Sequence, residues 1–346
     1  MKLRGLPIVL LVALRGLDGD HGIAFAPRAG SVVVKTFDTT LELRLERKSL
    51  WWEGTRGPFR WDVPVSMRLR ETQQVVFTDR CLGAEGERIT KLRRRFDALT
   101  LEHESEVSSS DGRDQGHDTE RGKGRLVDRS VQFTWDAERT DFFVEAADGT
   151  YIDRDERREL VAESDFVELL PLRRVAIGDG WRAGGDVLRE VFEPGGAYEF
   201  VESDRRVLRR TLDPALVRGL AGTLRCELVE LRSLDGHDVA VIELRGDVET
   251  KLRENEDVLE IPMFMIGIAR VSGWVESELK LSVEGSISWD LDAARLLAAN
   301  LRATVTLSRE TRGRTSYADS EAGVSESWRG EFECEAAFAA AGESTE

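Results

Sequence analysis

The feature that most constrains this chain is a strict alternation of apolar and polar residues on both sides of one short break. From 275 to 289 the odd positions are Val275, Leu279, Leu281, Val283, Ile287 and Trp289, with Ser277 and Gly285 between them. The even positions are Glu276, Glu278, Lys280, Ser282, Glu284, Ser286 and Ser288. After the break the odd positions are Leu297, Ala299, Leu301, Ala303, Val305 and Leu307, against Ala298, Asn300, Arg302, Thr304, Thr306 and Ser308. A two-residue period is that of a half-buried strand, and matching parity lets both apolar sets share one face of a hairpin. A slip of one residue would expose ten large apolar side chains, at about 1.5–3 kcal/mol each if otherwise buried.

Asp290 and Asp292 stand where this hairpin must reverse, beside Trp289 and Arg295. Such a carboxylate pair could await a metal or a sugar. Asp is also favoured in turns, because its carboxylate accepts hydrogen bonds from nearby backbone N–H groups. With no His, Cys or third acid adjacent in sequence, the corner is the better reading.

The same period recurs along the chain. Leu41, Leu43 and Leu45 alternate with charged residues, and Val63, Val65, Met67 and Leu69 with Asp62, Ser66, Arg68 and Arg70; Val131, Phe133 and Trp135 alternate ahead of a turn at "DAER". Leu224, Cys226 and Leu228 lead to Asp235-Gly236, a strong two-residue hairpin signal, and Ile242, Leu244, Val248 and Leu252 follow. "TWDAER" (134–139) and "SWDLDAAR" (288–295) both place Trp-Asp before a turn closed by Arg, which reads as a shared turn solution.

Helical signals are few. Asp153 is a candidate N-cap for 153–170, and 202–220 could form one or two short helices broken before Pro214. Ile89, Leu92, Phe96 and Leu99 fit a helix or a strand, and the polar, glycine-rich 107–124 reads as a mobile loop or linker. The expected fold is mainly β: long antiparallel hairpins forming a curved sheet or partial barrel with one or two covering helices. The expected organisation is a signal peptide over 1–26, an N-terminal β unit over 32–150 and a helix with connecting segment over 151–195. A C-terminal β unit over 196–339 and a disordered tail over 340–346 complete it.

Composition bounds the partners. With 41% hydrophobic and 33% charged residues the 346-residue chain is of a globular kind, and its net charge of -16 argues against nucleic acid. Seven of its 49 basic residues are Lys, which looks like a codon bias. The densest basic run, Arg93 to Arg95, soon meets acids. Lys2 and Arg4 precede an apolar run from Leu6 to Leu14, the order of a secretory signal peptide and far too short to span a bilayer. Ala24-Phe25-Ala26 has small residues at cleavage spacing, although Pro27 follows. Cys81, Cys226 and Cys334 are odd in number and far apart, so three buried thiols are expected and zinc is not.

Motifs carrying chemistry are weak. "VAIGDGWRAGG" (175–185) could be read as a phosphate cradle, but Trp181 would crowd it and no parallel βαβ series follows; a turn using Gly178 and Gly180 is preferred. His117 with Asp111, Asp114, Asp118 and Glu120 could hold a cation, yet the spacing matches neither an EF-hand nor a zinc site, and the acids of 147–156 fail the calcium order too. His21, His103 and His237 sit in loop, turn or leader contexts. Trp289 and Trp135 fall on apolar parity and read as core, whereas Trp51, Trp52 and Trp61 are the best candidates for an exposed aromatic contact.

Two segments carry a resemblance. "LLPLRRVAIGDGW" (169–181) and "GSISWDLDAARLLAANLRATVTL" (285–307) resemble segments of uncharacterised β-rich bacterial envelope proteins. Their late hairpin commonly turns through Gly-Arg-Leu, and Ala294 stands here in place of that glycine. The resemblance covers the C-terminal half and implies a secreted or periplasmic β protein, with no catalytic residues, metal or cofactor to carry over. The functional expectation is a non-catalytic extracytoplasmic module binding a protein partner or an apolar ligand in a sheet trough, without nucleic acid or a transmembrane segment. The alternative is a hydrolase or calcium-dependent enzyme using the acidic loops.

Overall fold

A computed structural model describes residues 21–341 apart from 55–56, 110–114, 150, 163–164, 203–206, 209, 235, 264–266 and 315–320; side chains of 54 and 256–271 are likewise outside the description. Most of the leader and nearly all of the C-terminal tail named above lie outside the described residues.

Among the described residues, fifteen strands form one antiparallel, curved, open sheet. They are β1 (Val32–Gly54), β2 (Gly57–Asp62), β3 (Val65–Glu85), β4 (Arg88–Ser109), β5 (Gln115–Gly124), β6 (Ser130–Asp136), β7 (Asp141–Ala146) and β8 (Gly180–Gly184). The short β9 (Phe200–Val201) and β10 (Val207–Leu208) precede β11 (Ala221–Leu234), β12 (His237–Met263), β13 (Gly267–Asp290), β14 (Arg295–Arg314) and β15 (Glu321–Ala340). The order β10-β9-β5-β4-β3-β1-β15-β14-β13-β12-β11-β8 joins the first and last long strands at the centre, while β2 pairs with β1 and the β6–β7 hairpin hangs from β4. The mainly β expectation is met, and strands such as the 27-residue β12 exceed the usual length.

The 275–307 hairpin has the expected shared face: Leu279 pairs with Leu307, Leu281 with Val305 and Ile287 with Ala299. One detail differs. Ser288 pairs with Ala298 and Trp289 with Leu296, so Leu297 is the extra residue of a β-bulge and Leu296 takes the buried place.

Other expectations are corrected. Ile89, Leu92, Phe96 and Leu99 lie on strand β4, where bulges at Thr90 and Asp97 stretch the inward spacing from two residues to three and so imitate a helix. The described parts of 107–124 are not a loop: they form the end of β4 and all of β5, which pairs with β4 from Lys123 to Gln115. The long helix over 153–170 shrinks to α1 (Arg154–Glu159), while 202–220 holds one short helix beginning at Pro214, α3 (Pro214–Arg218), with α2 (Arg189–Phe192) between them. Asp153 does cap α1, accepting from Asp155 N–H at 2.8 Å.

The inner face of the sheet is closed by two segments. The connection 151–220 buries Phe166, Leu169, Val187, Leu188, Val191, Phe192, Leu216 and Val217 in the same core as the strands. Phe192 meets Phe332 with ring centroids 4.2 Å apart. The second segment is a strap over 21–26. His21 exchanges two backbone hydrogen bonds with Val175, Trp289 Nε1 donates to Ala24 O and Ala26 N–H donates to Ala294 O. Ile23 and Phe25 of the strap are themselves buried in the main core.

Candidate functional site

A sheet trough would have to be lined by the apolar parity of β13 and β14. Leu279, Leu281, Val283, Ile287, Trp289, Leu301 and Val305 are all buried in the main core, under the connection and the strap. Apolar-ligand binding on that face is therefore corrected: its surface is already covered by this chain's own side chains.

The Asp290 corner is structural, as expected. Asp290 is fully buried, and its Oδ1 accepts from Asp292 N–H at 2.9 Å and Ala293 N–H at 2.8 Å. Its Oδ2 lies 3.0 Å from His237 Nδ1 without an aligned hydrogen bond. The echo at 134–139 is the same turn: Asp136 Oδ1 accepts from Glu138 and Arg139 N–H. Thr140 and Ala294 then take left-handed φ values of 54° and 51°. Position 294 is thus one that strains a side chain.

Gly178 has φ 90° in a turn where Gly178 N–H donates to Leu228 O, the expected turn rather than a phosphate cradle, whereas Gly180 opens β8 without the unusual backbone angle expected of it. Among the described residues no group of three His, Cys, Asp or Glu is arranged to hold a metal; Asp111 and Asp114 lie outside them. His117 and Asp118 are consecutive on β5 and point to opposite faces. His103 Nδ1 sits 3.9 Å from Glu120. Trp51, Trp52 and Trp61 are half-buried. Trp51 lies against Gly323, where a Cβ would collide with its ring, and Arg312 stacks over it. Trp52 packs with Val275 and Ala322.

Two features were missed in the sequence. The first is a buried ion network under the connection. Arg94 Nε and Nη2 donate to Asp79 Oδ1 and Oδ2 at 2.7 and 2.8 Å. Lys35 Nζ lies 3.1 Å from Asp79 and 2.8 Å from Asp165. Arg94 also donates to Val161 O and Ala162 O, so β1, β3 and β4 together hold the covering chain. Burial works against the Asp79 carboxylate, yet Arg94 and Lys35 outweigh it and hold its pKa below the usual range. Burial likewise opposes the Lys35 ammonium, and Asp165 and Asp79 hold its pKa above normal. Nearby, burial pushes Glu190 up to about 8 while its Oε2 accepts from Phe166 N–H. The signal was there: Lys35, Asp79 and Arg94 occupy inward positions between Val33 and Phe37, Phe77 and Cys81, and Leu92 and Phe96. Every charge in the network has an opposite neighbour, so it is a clamp rather than a reactive site.

The second feature is a cleft of about 900 Å³ between the β6–β7 hairpin and α1. Arg88, Arg139, Arg154, Arg157, Arg158 and Arg189 line it, against only Asp136 and Asp141. Asp136 is engaged in its turn and faces Arg139 at 3.6 Å; Asp141 Oδ1 accepts from Phe142 N–H at 2.7 Å. Arg189 pairs with Glu193, Arg158 with Asp155, and Arg88 stacks on Trp135 at 4.3 Å. Arg154 and Arg157 have no carboxylate partner among the described residues, and the buried Arg157 Nε has no hydrogen-bond acceptor. "RDERRE" sets Arg154, Arg157 and Arg158 at i, i+3 and i+4, one face of α1. Like charges at these spacings destabilise a helix by roughly 0.2–0.5 kcal/mol per pair, and an anion between them reverses the sign. Arginine's planar fork suits carboxylate and phosphate.

The outward faces of the long strands are polar. Arg44, Glu102, Glu284, Arg302, Glu331 and Glu333 project from them, the opposite of the apolar band that a lipid-facing barrel needs. Among the described residues no helix is long and apolar enough to cross a membrane.

No family model matches the chain, and no curated protein matches it. Solved structures give faint likenesses. The type II secretion secretin GspD of E. coli K12 is 7% identical with TM-score 0.15, covering 90% of this chain and 51% of its own. This chain thus spans about half the length of that secretin. A Pseudomonas aeruginosa FadL homologue is 7% identical with TM-score 0.19, covering 89% and 90%. The P. putida toluene transporter TodX is 9% identical with TM-score 0.13, covering 90% of each chain. Likenesses at these scores carry no argument, and the fold stands on its own strand pairing.

Proposed function

We propose that this protein is a non-catalytic, extracytoplasmic β module that binds an anionic ligand in the arginine-lined cleft. The observation that carries the reading is the pair Arg154 and Arg157, without a carboxylate partner among the described residues, held in a cleft with four more arginines on a chain of net charge -16. A local cationic hollow on an acidic surface attracts anions and repels the phosphate backbone of long nucleic acids at longer range. The charged-then-apolar start at Lys2–Leu14 supports the compartment.

The test is calorimetric titration with hexaglutamate and with inorganic pyrophosphate at two salt concentrations. Binding of either should weaken with salt and disappear in Arg154→Glu/Arg157→Glu while the melting temperature holds. Absence of binding to both, or unchanged binding in the double variant, overturns the reading. Recovery of the native protein from a cytosolic fraction with Met1 intact would overturn the compartment.

A further inference from the structure

We infer that the ligand is an extended acidic segment of a partner protein, which joins the sheet as an added strand along β7; this rests on the arginine-cleft reading. β7 is an edge, paired among the described residues with β6 alone. Asp141, Phe142, Phe143 and Val144 all line the cleft. Successive strand residues point to opposite faces, so four in a row share one cavity only if it runs along the strand's edge.

The backbone sense agrees. Ala147 N–H donates to Ser130 O on the β6 side, whereas Phe142 N–H is taken by the Asp141 carboxylate. Odd-numbered N–H groups therefore point toward β6 and even-numbered ones away from it; with Phe142 N–H held by Asp141, Val144 N–H is the edge donor an added strand would meet. A free strand edge is a template for main-chain pairing, with specificity left to side chains. Here Phe143, 53% exposed, offers an apolar contact, and Arg154 and Arg157 stand on the opposite wall to receive acids. A strand alternating acidic and apolar residues satisfies both. A second copy of this chain fits poorly. Antiparallel pairing of two β7 edges centred on Phe143 would set Asp141 against Glu145, like charge on like charge.

The experiment titrates the full chain with the peptide Glu-Val-Glu-Val-Glu-Val-Glu and with a form N-methylated at alternate residues, two isomers covering both edges. Expected are binding of the plain peptide, at least tenfold loss in one N-methylated isomer, and at least tenfold loss in Val144→Pro. Proline at this position removes an outward N–H and none of the β6 bonds, and an unchanged melting temperature confirms the fold. Equal binding of the plain and both methylated peptides overturns strand addition and leaves the cleft reading standing, provided hexaglutamate still depends on Arg154 and Arg157. Failure of hexaglutamate, pyrophosphate and peptide together overturns both. Sedimentation showing a dimer that Val144→Pro dissociates overturns the partner-peptide assignment in favour of self-pairing.

Discussion

Replacing Arg94 by Met should be among the most damaging single changes in the molecule, and adding a second change should partly undo it. Arg94 has no exposed surface, makes two bonds to Asp79 at 2.7 and 2.8 Å, and donates to Val161 O and Ala162 O. Arg94→Met removes one positive charge and leaves Asp79 with only the Lys35 that it shares with Asp165. Breaking a buried pair from one side costs about 3–5 kcal/mol, a large share of the ~5–15 kcal/mol that holds a domain folded. Asp79→Leu/Arg94→Met removes one charge of each sign and leaves Lys35 balanced by Asp165. The carbonyls of Val161 and Ala162 lose their donors in both variants, so the difference isolates the orphaned charge, and the double variant should recover about 2 kcal/mol. Urea unfolding followed by tryptophan fluorescence measures both. pH gives a second handle. The folded pKa of Asp79 is depressed, so its contribution in the native protein is present above the unfolded carboxylate pKa and is lost as pH falls through the folded one. Without Arg94, acid should instead narrow the gap between variant and native protein, because protonation relieves the orphan. A double variant as unstable as the single, or a single loss below about 1 kcal/mol, would refute the clamp.

Glu190 should give the opposite pH trend. Its folded pKa, raised to about 8, means stability present below the unfolded pKa and lost as pH rises through 8, and Glu190→Gln should flatten melting temperature against pH across that window. Cys226, pushed up to about 11, Cys334, pushed up to about 12, and the buried Cys81 should ignore an aromatic disulfide reagent at pH 8, with three thiols titrating only in denaturant. Ala294→Gly should raise stability by about 1 kcal/mol in urea unfolding by relieving a left-handed φ of 51°. A chain beginning at His21 should exceed one beginning at Pro27 by roughly 3–6 kcal/mol, from Ile23 and Phe25 at about 1.5–3 kcal/mol each, and equal melting temperatures would show the strap to be dispensable.

The period of two made the long strands and the 275–307 hairpin legible, because one-sided burial writes itself directly into alternating sequence, and an Asp-Gly pair in the sequence marked the reversal between Leu234 and His237. Bulges blurred it. Thr90 and Asp97 each add one residue to β4, and the resulting threes look helical although each inward residue remains on a strand. β5 was illegible for another reason: Gly122 and Gly124 signal a loop locally, but Leu208 and Leu99 press against those positions and leave no room for a Cβ. Glycine there serves close packing, which only the neighbouring strands reveal. The 153–170 helix stops at Glu159 because Leu160 bridges to Gly196 and Phe166 turns left-handed at φ 53°, breaking its apolar period in favour of contacts such as Phe166 with Phe37.

The cleft escaped notice because its residues come from separate segments, each with an innocent local reading. Arg154, Arg157 and Arg158 sit among acids in "DRDERRE", so the segment looks neutral until α1 sorts it into faces. Arg88 begins a strand, Arg139 closes a turn and Arg189 opens a short helix, and nothing in their spacing joins them. The fold brings them around one hollow by hanging the β6–β7 hairpin off β4, away from the main sheet path. That placement separates the two kinds of charge in this molecule. Charges facing the covered side of the main sheet are matched in place, as Arg94 with Asp79 and Glu71 with Arg210 show. In the cleft between the hairpin and α1 the lining arginines outnumber the lining acids, and Arg154 and Arg157 lack carboxylate partners among the described residues. A clamp needs every charge answered from within the chain; a recognition surface leaves some to be answered from outside, which is the part proposed for the cleft along β7.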